Sequence, residues 1–235
     1  MTLLLAALAV AVGAAAQSVS GIGFALVSGP LLFTVFGARE GVRVAVVLSM
    51  LVNIAVLARE HRSVMWRRVL PVLVTALAIT PLLAHMLSSA HPRLLRAAAG
   101  AVIVLGTAVV ASGRTADAGP AGGVAAGIAS ATMNVLASAG GPAVAVYAAG
   151  ARWDPLRTRA TLQAYFLALN VVTLLTLGPP HWNAERAAVL VGALLVGSIV
   201  GAKASGRVSA TRARAATLLL AAGGGLAVLV GALAG

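Results

Sequence analysis

Uncharged polar residues gather at two places where long apolar runs are interrupted by glycine. The first place holds Gln17, Ser18 and Ser20 beside Gly21 and Gly23, and the second holds Asn134 and Ser138 beside Gly140 and Gly141. Amides and hydroxyls donate hydrogen bonds without carrying charge, and glycine lets backbone N–H groups come close to a bound group. The combination is suited to coordinating an oxyanion. The alternative is that the polar groups cap freed backbone and the glycines serve helix packing.

Two asparagines stand alone in other apolar runs. Asn53 and Asn170 each lie in a stretch with the composition of a membrane helix. A buried asparagine in lipid must find partners, so each is either a bond between helices or a contact to a ligand. Singly each would be read as a bond between helices, but their matched positions in the two halves of the chain put the ligand reading on an equal footing. Gln163 and Tyr165 are secondary candidates on the same run as Asn170.

Ionisable groups are confined to the ends of the apolar runs. The five acids lie in loops or at helix ends, and they are Glu40, Glu60, Asp117, Asp154 and Glu185. His85 comes nearest to a span and is interpreted as an interfacial residue. A proton relay needs a carboxylate or histidine within the membrane, so the residues do not support proton coupling. The chain has no cysteine, which excludes disulfides and thiolate chemistry, and we expect neither a cofactor nor a metal site.

The elements that carry these residues must be membrane helices. The chain of 235 residues is 60% hydrophobic and 9% charged, with a mean hydropathy of +1.02. A soluble domain carries roughly 25% charged residues. Most uncharged runs approach the roughly 17–25 residues that a spanning helix needs. The composition therefore predicts an all-α polytopic membrane protein with a single membrane domain over 1–235. The net charge of +12 lies in short loops, so it indicates orientation and no nucleic-acid partner.

Two apolar runs are too long for one span. Runs 1–38 and 118–151 would reach roughly 50 Å as single helices, against a hydrocarbon core of about 30 Å. Both contain residues that break helices. In the first run these are residues 17–23 and then Ser28-Gly29-Pro30. In the second they are Thr132-Met133-Asn134 and then residues 138–142. We therefore predict two broken-helix hairpins, with long kinked helices as the alternative.

The loop charge agrees with the hairpin prediction. If both runs turn back, loops 58–68, 112–119, 150–159 and 203–214 share one side and hold 12 of the 17 Lys and Arg residues. Loops 37–43, 88–96 and 178–186 share the other side. The positive-inside rule then places the arginine-rich loops in the cytoplasm and both termini outside.

The two halves also resemble each other. Gly13 corresponds to Gly127, Gly29-Pro30 to Gly141-Pro142, Gly37-Ala38-Arg39 to Gly150-Ala151-Arg152, and Asn53 to Asn170. The predicted repeats are 1–112 and 118–235, each a hairpin plus three transmembrane helices. An odd number of crossings per repeat inverts the second half. Inverted-topology repeats recur in secondary transporters, with the substrate at the midplane between broken helices.

These features resemble the TauE/SafE sulfite-exporter family of membrane permeases. The likeness rests on Ser20-Gly21-Ile22-Gly23, on Ser138-Ala139-Gly140-Gly141-Pro142, on the intramembrane asparagines, and on Gly192, Gly197 and Gly201. It covers essentially the whole chain. The resemblance implies a permease in the bacterial inner membrane for a small anion such as sulfite, thiosulfate or an organosulfonate, and no enzyme. The substrate-binding residues would be Gln17, Ser18, Ser20, Gly21, Gly23, Asn53, Asn134, Ser138, Gly140, Gly141 and Asn170.

Three alternatives remain at this stage. A lipid pyrophosphate phosphatase also has hairpins in inverted repeats, but it needs clustered glutamates and an arginine beside the break. A membrane scaffold without transport activity fits the composition equally well. Ala14-Ala15-Ala16 resembles a signal-peptide cleavage site, but the positive n-region is missing because no Lys or Arg precedes Arg39. We expect the first segment to remain in the mature protein.

Overall fold

The computed structural model describes residues 2–20, 23–116, 119–204 and 207–234, and all its regular elements are helical. In the first half these are α1 (Thr2–Ser20), α2 (Phe24–Phe36), α3 (Ala38–Glu60), a 3-10 turn (His61–Ser63), α4 (Trp66–Ser88) and α5 (Pro92–Ala111). In the second half they are α6 (Pro120–Ala137), α7 (Gly141–Gly150), α8 (Pro155–Leu177), α9 (Ala184–Ala204) and α10 (Ala210–Ala234). Within the described chain, eight helices are long and apolar enough to cross a membrane. The fold is that of an all-α multi-pass membrane protein, as predicted.

Both long apolar runs are folded back on themselves. In the first, Leu3 of α1 and Phe36 of α2 belong to one apolar cluster, so the end of α2 has returned to the start of α1. In the second, the backbone N–H of Ala116, just before α6, donates to the carbonyl of Val146 in α7 at 3.3 Å. We call these two elements the first hairpin (α1–α2) and the second hairpin (α6–α7).

The first arm of each hairpin is longer than the sequence suggested. Both α1 and α6 are long enough to span, whereas α2 has 13 residues and α7 has 10. At 1.5 Å per residue, the return arms cover only about 20 Å and about 15 Å. A return arm of this length crosses only part of a hydrocarbon core of about 30 Å, so the tip at which it begins lies inside the core.

Some predicted breaks do not occur. Ser28-Gly29-Pro30 lies inside α2, and Thr132-Met133-Asn134 lies inside α6. Pro30 is accommodated because its ring packs against α10 at Gly224, where a Cβ would lie 2.8 Å from Pro30 Cγ. A membrane helix tolerates an internal proline when a neighbouring helix offers such space. In the described residues the first arms end at Ser20 and Ala137, and the return arms begin at Phe24 and Gly141.

Contacts between loops show which loops lie at each end of the bundle. At one end, Arg157 Nε donates to the Ser63 carbonyl at 3.2 Å and Arg68 to that of Ala151 at 3.3 Å. Arg214 donates to the Val110 carbonyl at 2.8 Å. These bonds bring together loops 58–68, 112–119, 150–159 and 203–214, and we call this end the arginine-rich face.

The remaining loops meet at the other end, which we call the opposite face. His181 contacts Glu40 through its backbone N–H and ring nitrogen, which joins the α8–α9 loop to the start of α3. Arg39 donates to the carbonyls of Ser88 and Ala90 in the α4–α5 connection. The loops therefore group as the hairpin prediction requires.

The helix pairs follow a two-fold pattern. The closest pairs are α1 with α9, α4 with α6, α3 with α8, and α5 with α10. If α1–α5 correspond to α6–α10 in order, the first two pairs exchange and the last two map onto themselves. Gly197 shows how close the α1–α9 approach is, because a Cβ there would collide with the Ala11 carbonyl oxygen. This is the pattern that two related halves would produce.

The register between the halves differs from the one read off the glycines. Gly141 opens α7, so its counterpart is Phe24 at the start of α2, while Gly29 lies in the middle of that helix. A constant separation of 117 residues relates Gly23 to Gly140 and Asn53 to Asn170. α7 is shorter than α2 and the loop after it is longer, which keeps that separation. The correspondence of Gly29-Pro30 with Gly141-Pro142 is therefore wrong.

Candidate functional site

The tips of the two hairpins meet at one cavity in the middle of the bundle. We call this the central cavity; it encloses about 60 Å³, enough for a few waters or one small oxyanion. Eight of the eleven predicted site residues line it: Gln17, Gly23, Asn53, Asn134, Ser138, Gly140, Gly141 and Asn170. Residues from six runs of sequence thus converge on one point.

Much of the lining falls into pairs that are 117 residues apart. Gln17 pairs with Asn134, Gly23 with Gly140, Ser49 with Phe166, and Asn53 with Asn170. Each half contributes one hairpin tip and one turn of the helix that follows it, α3 or α8. The cavity therefore lies where a two-fold axis between the halves would run.

In the first hairpin the tip is held by an amide. Gln17 Oε1 accepts the backbone N–H of Phe24 at 3.1 Å, which ties the end of α1 to the start of α2. The chain turns at Gly23 with φ +126°, a conformation that side chains rarely adopt. Gln17 thus has a structural bond even though it also lines the cavity.

Asn53 has an exceptional environment. Its side chain is buried, with 4% of its surface exposed, and its Nδ2 has no hydrogen-bond partner among the described residues. A buried donor left without an acceptor costs about 1–3 kcal/mol. Since Asn53 lies in the cavity wall, a bound acceptor would satisfy it.

The equivalent asparagine in the second half, Asn170, accepts a hydrogen bond from another side chain. Asn134 Nδ2 donates to Asn170 Oδ1 at 3.0 Å and to Thr173 Oγ1 at 2.9 Å. Thr173 in turn donates to the Leu169 carbonyl at 2.8 Å. This network joins α6 to α8 behind the cavity.

The tip of the second hairpin presents a second polar group without a described partner, the hydroxyl of Ser138. Ser138 adopts a left-handed conformation with φ +52°, and its Oγ has no partner in the described part of the chain. Only 7% of its surface is exposed. Ser130 Oγ donates to the Gly140 carbonyl at 2.9 Å and so holds the turn against α6.

Both return helices begin at the cavity. The N-termini of α2 and α7 carry N–H groups without intrahelical acceptors and the positive ends of helix dipoles. No acidic residue is among the described residues that line the cavity. The two helix N-termini, Asn53 and Ser138 thus place neutral hydrogen-bond donors around a small volume. Such a site favours an anion.

Of the three remaining predicted site residues, one lies away from this lining, while the side chain of the second and the whole of the third fall outside the described part of the chain. Ser18 donates to the Ala14 carbonyl at 2.9 Å and faces α9, where a Cβ on Gly201 would lie 2.8 Å from Ser18 Cβ. Ser20 ends α1, and its side chain is outside the described part. Gly21 lies outside the described residues.

Sequence reasoning missed some members of the site. Ser49 lies one helical turn before Asn53, and Thr173 lies three residues after Asn170. Helical spacing from each asparagine would have pointed to both. Phe166 faces the cavity one turn before Asn170, but an aromatic residue in an apolar helix gives no such signal.

Comparison with known proteins gives one match. The family model described as "Sulfite exporter TauE/SafE" matches residues 5–230, nearly the whole chain. No curated protein and no solved structure matches the chain.

Proposed function

Since the chain belongs to the sulfite exporter TauE/SafE family, a family of membrane permeases, we propose that it carries a small anion that binds in the central cavity. The substrate class is sulfite, thiosulfate or an organosulfonate. The membrane is proposed to be the bacterial inner membrane, with the arginine-rich face in the cytoplasm.

The observation that carries this proposal is the pair of unpartnered donors at Asn53 and Ser138. Both are buried in the wall of a cavity onto which two helix N-termini open. Hydrogen bonds to an ionised oxygen are roughly twice as strong as those between neutral groups. An oxyanion would therefore stabilise the protein at two points that are otherwise unsatisfied.

The neutral character of the site suits a carrier better than a storage site. Among the described lining residues there is neither a lysine nor an arginine, so no fixed countercharge would hold the anion. Conduction requires binding that is favourable enough to enter and weak enough to leave. Amide, hydroxyl and backbone donors without a formal charge meet that requirement.

The arrangement of the hairpins supports alternating access. The first hairpin reaches the cavity from the opposite face and the second from the arginine-rich face. Small movements of one hairpin against α3 and α8 would open the cavity to one face at a time. Rocking around a fixed midplane site is the mechanism that inverted repeats support.

The phosphatase alternative gains no support from this lining. That chemistry needs clustered carboxylates with an arginine, and the described wall of the central cavity consists of neutral side chains. Lipid pyrophosphate should therefore release no phosphate with the purified protein.

Ligand binding tests the proposal directly. Purified protein is screened by thermal shift against sulfite, thiosulfate, sulfate, sulfoacetate, taurine and short carboxylates, and each hit is assayed for flux in proteoliposomes. Asn53→Asp keeps the shape of the side chain but adds a negative charge, which should weaken binding of the hit by about 100-fold or more through like-charge repulsion. Asn183→Asp is the matched control, because Asn183 is an exposed cap at the start of α9.

Two results would contradict the proposal. One is that none of the anions stabilises the protein or crosses the bilayer. The other is that Asn53→Asp binds the hit as well as Asn183→Asp does, which would place the site elsewhere.

Orientation is tested independently. A reporter inserted in loop 203–214 should report the cytoplasm, and one fused after the C-terminus should report the outside. Reporters showing loops 58–68 and 203–214 on opposite sides would contradict the proposed topology.

A further inference from the structure

A second, larger cavity opens at the arginine-rich face. It encloses about 410 Å³ between the end of α5, α7, and the starts of α8 and α10. Arg214 and Thr158 lie at its outer part, one turn into α10 and α8, and Thr217 lies one turn deeper on α10. We call this space the vestibule.

The vestibule ends at the central cavity. Leu26 of α2 and Leu162 of α8 line both spaces, so their side chains form the partition between them. Thr217 also reaches the tip of the first hairpin, since a Cβ on Gly23 would lie 2.6 Å from the Thr217 methyl carbon. The two leucine side chains therefore separate the vestibule from the donors around Asn53.

The other half of the molecule has no such space at the matching place. Ala145 and Ala149 of α7 line the vestibule, and the residues 117 positions earlier are Ser28 and Leu32, both fully buried in α2. Phe33 fills the same region, where a Cβ on Gly41 would lie 2.8 Å from its ring. Small alanines on α7 leave open what larger residues on α2 fill at this matching place. Two pockets of about 190 and 350 Å³ do lie at the opposite face, but neither shares a described lining residue with the central cavity, whereas the vestibule does.

The charge at the mouth matches an anion. Arg214 is exposed, and one of its nitrogens donates to the Val110 carbonyl at 2.8 Å, which fixes the guanidinium at the cavity wall. A guanidinium has five N–H donors, so others remain for a ligand. A cleft of one charge sign raises the local concentration of the oppositely charged substrate.

We propose that the vestibule is the path by which the anion reaches the central cavity from the arginine-rich face. Arg214 captures the anion at the mouth, and Leu26 and Leu162 are the gate that it must pass. This inference rests on the proposed transport function, and it assigns to that function an entry route and a capture residue.

The absence of native cysteine allows a direct accessibility test. Ala145→Cys places a thiol in the vestibule, and Ser28→Cys places one at the matching buried position. In proteoliposomes, an anionic methanethiosulfonate should label Ala145→Cys at least about tenfold faster than Ser28→Cys, because reaction needs an accessible thiolate. An organosulfonate or another anion from the binding screen that does not itself react with the thiosulfonate should slow the labelling, and the attached group should block flux.

The outcomes separate this inference from the proposed function. A crevice filled by lipid would admit an uncharged maleimide but exclude the anionic reagent, and that result would overturn the vestibule. Fast labelling that neither responds to anion nor blocks a measurable flux would also overturn it. Absence of flux in the unlabelled cysteine-free protein would instead count against transport itself.

Kinetics test the capture residue. Arg214→Gln should raise the KM for the anion about threefold or more at low ionic strength while maximal flux stays near normal, and added salt should reduce the difference. Arg214→Lys should restore most of the affinity. Arg212→Gln is the matched control, because Arg212 is exposed on the same turn but does not line the vestibule. Equal effects of Arg212→Gln and Arg214→Gln would remove Arg214 from the path.

Discussion

Asn53 and Asn170 hold the same place in two helices of 23 residues, α3 and α8, but their bonding differs. Asn170 accepts a hydrogen bond from Asn134, whereas the Nδ2 of Asn53 has no partner among the described residues. The first half differs in the residues around its asparagine: Val56 stands where the second half has Thr173, and Gln17, which matches Asn134, accepts the backbone N–H of Phe24. One half thus uses its asparagine to join helices. In the other half the asparagine Nδ2 has no partner among the described residues, and there we propose that the ligand binds.

The hairpin tips differ in the same sense. At the first tip, Gln17 bonds to the N–H of Phe24, and glycine supplies the positive φ. At the second tip, Ser130 holds the carbonyl of Gly140, and a serine adopts the left-handed conformation. The two tips therefore occupy matching places but are held by different bonds, so substitutions at matching positions should have different effects.

The largest effect is expected at the tip of the second hairpin. A Cβ on Gly140 would lie 2.6 Å from Ser130 Oγ and 2.7 Å from the Ser130 carbonyl oxygen. Gly140→Ala should therefore displace α7 from α6, lower stability by about 1–3 kcal/mol or more, and abolish flux. Melting temperature and flux are measured together, with Gly192→Ala as control because nothing lies within 4 Å of a Cβ there. Normal stability and flux in Gly140→Ala would show that the second tip is looser than the structure indicates.

The comparison of the asparagines makes the next prediction. Asn53→Ala should lower the affinity for the anion about 10- to 150-fold through loss of about 1.5–3 kcal/mol, with an unchanged melting temperature. Asn170→Ala removes an acceptor from Asn134, so its melting temperature should fall as well. Both quantities are measured on the same preparations.

Two patterns would break this contrast. If Asn53→Ala and Asn170→Ala lower the melting temperature equally and leave affinity normal, both residues are packing contacts. If Asn53→Ala is stable and binds normally, Asn53 is not part of the site.

The sequence predicted the elements of this site better than their register. The predicted breaks at 17–23 and 138–142 pointed to the ends of α1 and α6 and to the starts of α2 and α7. The same reasoning overestimated Pro30, since a proline breaks a helix only where no neighbour makes room for it, and the room at Gly224 comes from α10. Long-range packing of this kind has no local signal.

The bonding of individual side chains was also beyond the sequence. Asn53 and Asn170 look alike in their apolar runs, and only the three-dimensional arrangement gives Asn170 its bond to Asn134. Ser18 and Ser20 have the composition of site residues, but Ser18 faces α9 because it lies on the side of α1 away from the cavity. Matching the glycines of the two halves gave a separation that changed along the chain. The helix boundaries instead follow one separation of 117 residues.

A smaller effect is expected at Ser138, where the two tips differ in residue type. The left-handed conformation is unfavourable for serine and easy for glycine, so Ser138→Gly should raise stability by about 1 kcal/mol. If Ser138 Oγ binds the anion, affinity should fall at the same time by about tenfold, since a hydrogen bond to a charged ligand contributes at least about 1.5 kcal/mol. Arg152→Gly is the control, because Arg152 also has a positive φ but lies on the arginine-rich face. It should gain stability without losing affinity; Ser138→Gly behaving identically would assign Ser138 to the backbone alone.

The smallest effect is expected at His85, where the halves differ in an ionisable group. His85 lies near the end of α4, and the position 117 residues later in α9 is Ala202. His85→Ala therefore makes the first half more like the second.

The side chain of His85 is exposed and lies near the α4–α5 connection at the opposite face, away from the central cavity. A residue that couples protons to transport must lie where its protonation can affect the substrate or the gate. An exposed ring at the end of a helix does not lie there. Flux measured between pH 6 and pH 8, a range of about one unit on each side of neutrality that spans histidine titration, should keep both its rate and its pH profile in His85→Ala. Loss of flux at normal expression, or a flattened profile, would make His85 part of a coupling path and would mean that the difference between the halves extends from the site to the driving force.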